Sequence, residues 1–572
     1  MYQLQKYKHM KYFAFLLTML LSFAVLKAQN IPYNLTPDWE SNPNEQVSTG
    51  LGLADINGDG WKDIIVADGN DIYRQHLVVY YNNGDGTFPN NPDWQSVDID
   101  YHGHLAVGDI NSDGWIDVAV SVYIGPSGFS DPGKIKVYYN IEGELEAAPS
   151  FESSEFYTFS CALGDADGDG DLDLAVAAGE PYSSLFDSGK IFYNTDGTFE
   201  QNPQWTSAIQ MGAMDVDFAD MDGNGFLDLI FSCEETPNYI YLANNDGIIS
   251  ETPAWYSDEN KNYMNSLDIG FIGSDIFPAI VMTGNNQLGG DGKVRLYNFD
   301  EGIPASSSAS WLSNYFGYGS GILLADITRD DILDLIYGGW WLPIKIAIGN
   351  GVNFQLNPSY TSVSTSVVEA IQIADLGKEN IRFMNENIQI GIESATIHLS
   401  KKIIENILSI YKNGVLLEPS DYSYIPGKNR ISFKNRLFSG DELEIQYEYC
   451  YDGDLVITNW DSNKGNYIFY NTNPSTGIIS NENFQASCLI NIYPNPANEF
   501  INIDYILTFD SEVEIEIYNL TGEKIKTINK GYRLSGRNLT VCKTGDLKTG
   551  LYLLKLIACN RYFITEFLVL NN

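Results

Sequence analysis

DINGDGWKD, residues 55–63, is the stretch that decides the fold. Acidic or amide side chains stand at its first, third, fifth and ninth places, glycine at its sixth, and β-branched Ile64-Ile65-Val66 follows. The phrase returns as DINSDGWID (109–117), DADGDGDLD (165–173) and DMDGNGFLD (220–228), with starts 54, 56 and 55 residues apart. Calcium takes six to eight oxygens from carboxylates, amides and backbone carbonyls. Alternate side chains of a tightly curled loop all turn inward, so this spacing gathers such oxygens. The first loop offers Asp55, Asn57, Asp59 and Asp63, with the backbone carbonyl of Trp61. The second offers Asp109, Asn111, Asp113, Trp115 and Asp117; the third Asp165, Asp167, Asp169, Asp171 and Asp173; the fourth Asp220, Asp222, Asn224, Phe226 and Asp228. Glycine at the sixth place supplies the positive φ that the curl needs.

Two other loops begin the same way, the EF-hand and the dockerin, and both run on into a helix. An EF-hand needs Glu at place 12 and an exiting helix. Place 12 here is Val66, Val120, Val176 and Phe231, and each loop runs into a strand-like segment. A weaker copy, DITRDDILD (326–334), offers Asp326, Thr328, Asp330 and Asp334. It lies two periods after the fourth, and residues 267–281 fill the gap as a repeat that has lost most ligands. A last repeat starts near Asp375 and resumes at 452–460, split by an insertion.

Each period also carries a strand ending in Tyr-Asn or a variant, a glycine turn, and a Pro-aromatic element such as Pro92-Asp93-Trp94. Four short strands per period over about seven periods predict a β-propeller. Pro37-Asp38-Trp39 is an orphan Pro-aromatic element, and the last repeat lacks one, so the N-terminal strand is expected to complete the final blade. These residues resemble the FG-GAP or VCBS-type repeats, the calcium-loop propellers related to the integrin α-subunit head. The resemblance implies metal loops between the first two strands of each blade and partner binding on the opposite face.

Residues 1–28 read as a secretory signal peptide: Lys6, Lys8 and Lys11, then an apolar run. The C-terminal module opens with Tyr493-Pro494-Asn495-Pro496-Ala497 and continues in alternating strands. It resembles the YPNPA-class sorting domain of the Bacteroidetes type IX secretion system. That implies the secretion machinery as partner and an address outside the outer membrane, with no transmembrane segment in the mature chain.

The expected class is therefore all-β: a seven-bladed propeller (29–475) with calcium loops, a small inserted β-module (378–450) with a short helix near 401–408, and a C-terminal β-sandwich (487–572). About four calcium ions are expected, five if the weaker copy binds. With 75 acidic and 33 basic residues the net charge is −42, which opposes nucleic acid as a partner. Six cysteines do not make a disulfide framework in a chain this long, although Cys542 and Cys559 could pair. No catalytic motif stands out, and no catalytic residue is assigned. The expected function is a non-enzymatic adhesion or ligand-binding module for glycan or protein. Its candidate ligand face is Trp340, Trp341, Tyr123, Tyr182 and Trp460. A calcium-dependent polysaccharide-degrading enzyme and a structural surface protein are the alternatives.

Overall fold

The computed structural model describes residues 31–472 and 491–570, apart from short gaps at 44, 259–262, 273–276, 288, 300–301, 305, 379–380, 452, 494–496, 498–499, 508–510, 520–523, 534–535, 546 and 559–560. The signal-peptide expectation, most of the Tyr-Pro-Asn-Pro-Ala motif and Cys559 therefore lie outside the described residues. Among the described residues the chain is all-β, with strands and three short 3-10 turns.

Five sheets follow one plan, each built on a four-stranded antiparallel meander, and the fourth adds Ser306–Ser307 parallel to Trp255–Ser257 at its edge. The first is Ser48–Ala54, Asp63–Asp68, Leu77–Tyr80 and Trp94–Gln95, side by side in chain order. The second starts at Tyr101–Gly108, the third at Thr158–Gly164, the fourth at Ala213–Ala219 and the fifth at Met264–Gly270. A sixth sheet orders Gly319–Ala325, Asp334–Ala347, Tyr360–Ala374, Asp454–Asn459, Tyr467–Phe469 and Trp39–Glu40. Two long strands explain its width. One half of Tyr360–Ala374 pairs with Asp334–Ala347, and the other half pairs Ala374 with Asp454. At its far edge Trp39 pairs with Ile468, so the orphan N-terminal element does close the last sheet.

The opening strands pack against one another in a ring. Ser48–Ala54 touches Tyr101–Gly108, and so on round to Tyr360–Ala374, which returns to Ser48–Ala54. Gln372 Nε2 donates to Leu51 O at 2.7 Å across that closure. The core lies between successive sheets. Ile65, Leu77 and Val79 of the first meet Val118 and Val120 of the second, all fully buried. Each such aliphatic side chain contributes about 1.5–3 kcal/mol by leaving water. The ring strands carry register shifts, near the start in most, as at Ser48/Gly50, Thr158/Ser160 and Met264/Ser266, and at Val368/Ile371 midway along Tyr360–Ala374. Such bulges re-aim side chains, here around the axis.

The insertion forms two sheets, one of Ile381–Gln389, Glu442–Cys450, Ile404–Lys412 and Val415–Leu416, the other of Ser394–His398, Arg430–Leu437 and Tyr422–Tyr424. The helix expected near 401–408 is a strand. Ile404, Ile407 and Ile410 face a shared core with Ile431 and Tyr447, and β-branched side chains favour the extended form. The C-terminal residues form a three-stranded and a four-stranded sheet over one core that includes Ile503, Tyr505, Ile515 and Leu554.

Candidate metal centres

Each loop is held by its own acidic side chains. Asp55 accepts the backbone N–H of Gly58 at 2.8 Å and of Gly60 at 2.7 Å. Asp109 does the same for Asp113 and Gly114 at 3.0 and 2.9 Å, and Asp220 for Gly223 and Gly225 at 2.8 Å each. The third and fifth places cap the N–H two residues on: Asn57 to Asp59 at 2.9 Å, Asp59 to Trp61 at 2.8 Å. The ninth place ties the loop to its sheet. Asp63 accepts Ile56 N at 3.0 Å and Asn82 N at 2.9 Å, and Asp117, Asp173 and Asp228 repeat both bonds. Gly60, Gly114, Gly170 and Gly225 all have φ between 83° and 93°.

The side chains converge. One carboxylate oxygen from each of Asp165, Asp167 and Asp173 lies within 4.8 Å of the others, and the same holds for Asp220, Asp222 and Asp228. Asp165 Oδ2 is buried without a hydrogen-bond partner. Burial pushes Asp63 and Asp117 up to about 7 and Asp165 to about 8, with Asp167 and Asp169 adding repulsion at Asp165. Burial also holds Asp173 and Asp228 well above the usual carboxylate range. Paired hard oxygens, crowded and desolvated, are a donor set that fits calcium.

The weaker copy keeps the same bonds: Asp326 accepts Asp330 N at 3.1 Å and Asp331 N at 2.8 Å, and Asp334 accepts Ile327 N at 3.0 Å. Asp331 takes the glycine's place at φ 62°. In the fifth sheet Gly270 pairs with Ala279 as Ala54 pairs with Asp63, so Phe271 and Ala279 occupy the first and ninth places. In the split repeat Asp454 keeps the ninth-place role, accepting Leu376 N at 3.1 Å and Asn471 N at 2.8 Å. The insertion therefore grows out of a metal-type loop, and it lies on that face.

It covers part of the face. Ala395 and Thr396 donate to Gly225 O at 2.9 and 3.0 Å. A Cβ on Gly170 would lie 2.4 Å from Lys434 N. Deeper in, Lys428 Nζ and Arg430 Nη2 reach Asp217 at 2.6 and 3.2 Å, and Lys402 Nζ reaches both oxygens of Asp268 at 2.8 Å. These cations close one end of an axial cavity of about 220 Å³, whose walls include Leu105, Cys161, Asp215 and Ile371. The sequence carried one sign of this role: nine of the 33 basic residues fall within 378–450.

The Tyr-Asn elements also have a job that pattern reading missed. Asn140 Nδ2 donates to Ile116 O in its own sheet at 3.2 Å and to Ile56 O in the previous loop at 2.7 Å. Asn194 does the same to Ile110 O at 2.7 Å, and Asn82 to Leu376 O at 3.1 Å across the ring closure.

On the opposite face the candidate rings divide. Trp341 is 63% exposed at φ 58°, a conformation unusual for a bulky residue. Tyr182 is half-buried, its hydroxyl 3.3 Å from Gln287 Oε1. Trp340 and Tyr123 are instead buried, because each indole or phenol proton is needed inside. Trp340 Nε1 donates to Glu369 at 2.8 Å and Tyr123 Oη to Glu180 at 3.1 Å. Trp460 is half-buried with its ring 5.0 Å from that of Trp340.

Residues 491–571 match the secretion system C-terminal sorting domain, and residues 55–120 and 182–231 match the FG-GAP-like repeat. Integrin alpha-3 of Mus musculus and of Cricetulus griseus are each 30% identical over 113 residues, 17% of this chain and 10% of theirs. The chain thus spans about a tenth of the length of the curated relatives it matches. Among solved structures, BBS1N in complex with ARL6DN, soaked with lead, aligns at 11% identity with a TM-score of 0.39, over 60% of this chain and 92% of that one. The V. cholerae biofilm matrix protein Bap1 aligns at 13% identity with a TM-score of 0.31, over 92% of this chain and 88% of its own. The chain carries FG-GAP-like repeats and a type IX sorting domain, and it is a cell-surface or extracellular protein exported by that system. No helix among the described residues is long and apolar enough to cross a membrane.

Proposed function

We propose that this chain is a calcium-loaded seven-bladed propeller (29–475) that binds an extracellular glycan or protein without chemically changing it. In this reading the insertion (378–450) belongs to the last blade, the sorting domain (487–572) is a β-sandwich, and residues 1–28 are removed on export. Four loops hold calcium through Asp55, Asn57, Asp59, Asp63 and their counterparts at 109–117, 165–173 and 220–228. The loop at Asp326, Thr328, Asp330 and Asp334 makes a fifth, weaker site. The convergence of three buried or half-buried carboxylates in each of loops three and four carries the proposal. The ring of opening strands supports the propeller reading. The exposed Trp341 supports a ligand face away from the metal loops.

The test is a melting curve of the secreted protein in millimolar calcium and in EDTA, followed by a glycan and matrix-protein array with and without chelator. Calcium should raise the transition, and an Asp165→Asn, Asp220→Asn double variant should lose most of that rise. Identical curves in calcium and EDTA would end the proposal. Product formation from a polysaccharide would replace it with the enzyme alternative, and a silent array with the structural one.

A further inference from the structure

The axial cavity treats its two ends differently. At the metal-loop end the cavity-lining carboxylates Asp217 and Asp268 have cations: Asp217 has Lys428 and Arg430, and Asp268 has Lys402. Away from the metal loops Glu369 of the last sheet lines the same cavity, and Asp71, Glu180 and Glu234 lie close enough to it to act on the same Tyr182 hydroxyl; no Lys or Arg among the described residues makes an ion pair with any of the four. Glu180, Glu234 and Glu369 are at most 2% exposed.

They are near enough to act on one another. Burial first, then the charges of Glu235, Glu369 and Glu180, disfavour ionisation of Glu234, and Tyr182, first desolvated by its surroundings, feels Glu234, Glu369, Asp71 and Glu180 together. Their hydrogen bonds come from neutral groups. Glu180 accepts the Tyr123 hydroxyl at 3.1 Å and the N–H groups of Tyr182 and Ser183 at 2.9 and 2.6 Å. Glu369 accepts the Trp340 indole at 2.8 Å. The imidazole of His104, the nearest basic group felt by Glu369, lies 3.8 Å from Asp215. Glu234 Oε2 has no partner at all, and neither does Asp71 Oδ1. Asn265, 2% exposed in the bulge of the fifth sheet beside the cavity-lining Ser266, leaves both amide atoms unpartnered.

Desolvated carboxylates with open lone pairs call for a positive partner. A bare divalent ion fits poorly, because Glu180 and Glu369 already spend lone pairs on Tyr123, Tyr182, Ser183 and Trp340. The surrounding Tyr123, Tyr182 and Trp340 suit an organic cation, since ring faces attract ammonium groups. We propose that this mouth is a binding site for a ligand bearing a primary ammonium, either a polyamine or the free amino group of a deacetylated amino sugar. The inference rests on the binding-module reading above and gives that module its ligand class.

The probes are spermidine, a glucosamine tetramer and the same tetramer fully N-acetylated, titrated by calorimetry into the full secreted chain in calcium. Saturable binding of spermidine, of the glucosamine tetramer, or of both is expected, with no binding of the acetylated tetramer. Which amine binds identifies the source. Glu234→Gln and Glu369→Gln keep bulk and remove the carboxylate that a bound ammonium would hold ionised, and each should weaken the amine at least about tenfold. Each titrated sample is also melted in calcium and in EDTA. A normal calcium shift without amine binding overturns the site and leaves the propeller reading standing, whereas loss of the shift itself indicts that reading. Equal binding of the acetylated tetramer, or unchanged affinity in both variants, also overturns the proposal.

Discussion

Replacing Arg430 with alanine should undock the insertion from the ring. Arg430 is 7% exposed and reaches three acceptors: Asp217 at 3.2 Å, Leu163 O at 3.0 Å, and Phe218 O. Removing one partner of a buried pair costs about 3–5 kcal/mol, mostly from the charge left behind. Lys428 remains on Asp217 at 2.6 Å, which places the expected loss near the lower end, about 3 kcal/mol. Lys428 itself has 39% of its side chain exposed, so Lys428→Ala should cost no more than about 1 kcal/mol. Unfolding entropy of about 2.1 cal/mol/K per residue over residues 31–472 converts 3 kcal/mol into a fall of about 3 °C. Scanning calorimetry in calcium reads that fall. Trypsin should cut within 378–450 at a temperature where the parent chain is intact. In an Asp217→Asn background the same substitution should cost about 1–2 kcal/mol less, because the orphaned charge is gone. The latch is refuted if Arg430→Ala melts with the parent and trypsin spares the insertion.

Three further outcomes follow from single contacts. Asn140→Ala strands the Ile56 and Ile116 carbonyls and should cost about 1–3 kcal/mol in a denaturant titration, while Asn83→Ala on the surface should be near neutral. Trp340→Ala should cost about 3–5 kcal/mol by opening a cavity, whereas exposed Trp341→Ala should leave the melt unchanged and affect ligand capture alone; equal melts for the two would reverse this division of the rings. Burial and the charges of Glu235, Glu369 and Glu180 hold Glu234 up at about 8, against 4.5 in the unfolded chain. The folded state then keeps a proton that the unfolded state releases, so this contribution is full below about pH 4.5 and is lost as pH rises through 8. Stability measured from pH 5 to 8 should fall less steeply in Glu234→Gln than in the parent.

The metal phrase was legible because its geometry is local. Asp55 bonds to residues three and five places on, and Asp63 to one seven places back, so apart from the tie from Asp63 to Asn82 nine residues contain the device. The strand pattern and the orphan Trp39 were legible for the related reason that repetition reports what a lone segment cannot. Distant partners were not legible. Asn140 finds Ile56 across 84 residues, and Arg430 finds Asp217 across 213. Trp340 looked like a surface ring because a Trp-Trp-Leu-Pro run near a turn reads that way. Its burial depends on Glu369 and Trp460, which other strands deliver. The false helix near 401–408 arose from a short run without clear alternation, where the partner strand Glu442–Cys450 decides the outcome.

Four similar phrases do not end as four equivalent sites. The insertion leaves the ring through the loop between Leu376 and Asp454, and a module rooted there has to spread over the metal-loop face. It presses on Gly170 and Gly225 of the third and fourth loops, while nothing lies within 4 Å of the Cβ direction at Gly114 and only Lys378 Nζ nears Gly60. The third loop is also the richest in aspartate and the fourth is partly covered, so desolvation and mutual repulsion concentrate where the insertion sits. An ion that offsets that repulsion stabilises the covering contacts as well as its own loop. The insertion therefore ties the acidic crowding of these loops to closure of the ring's axis.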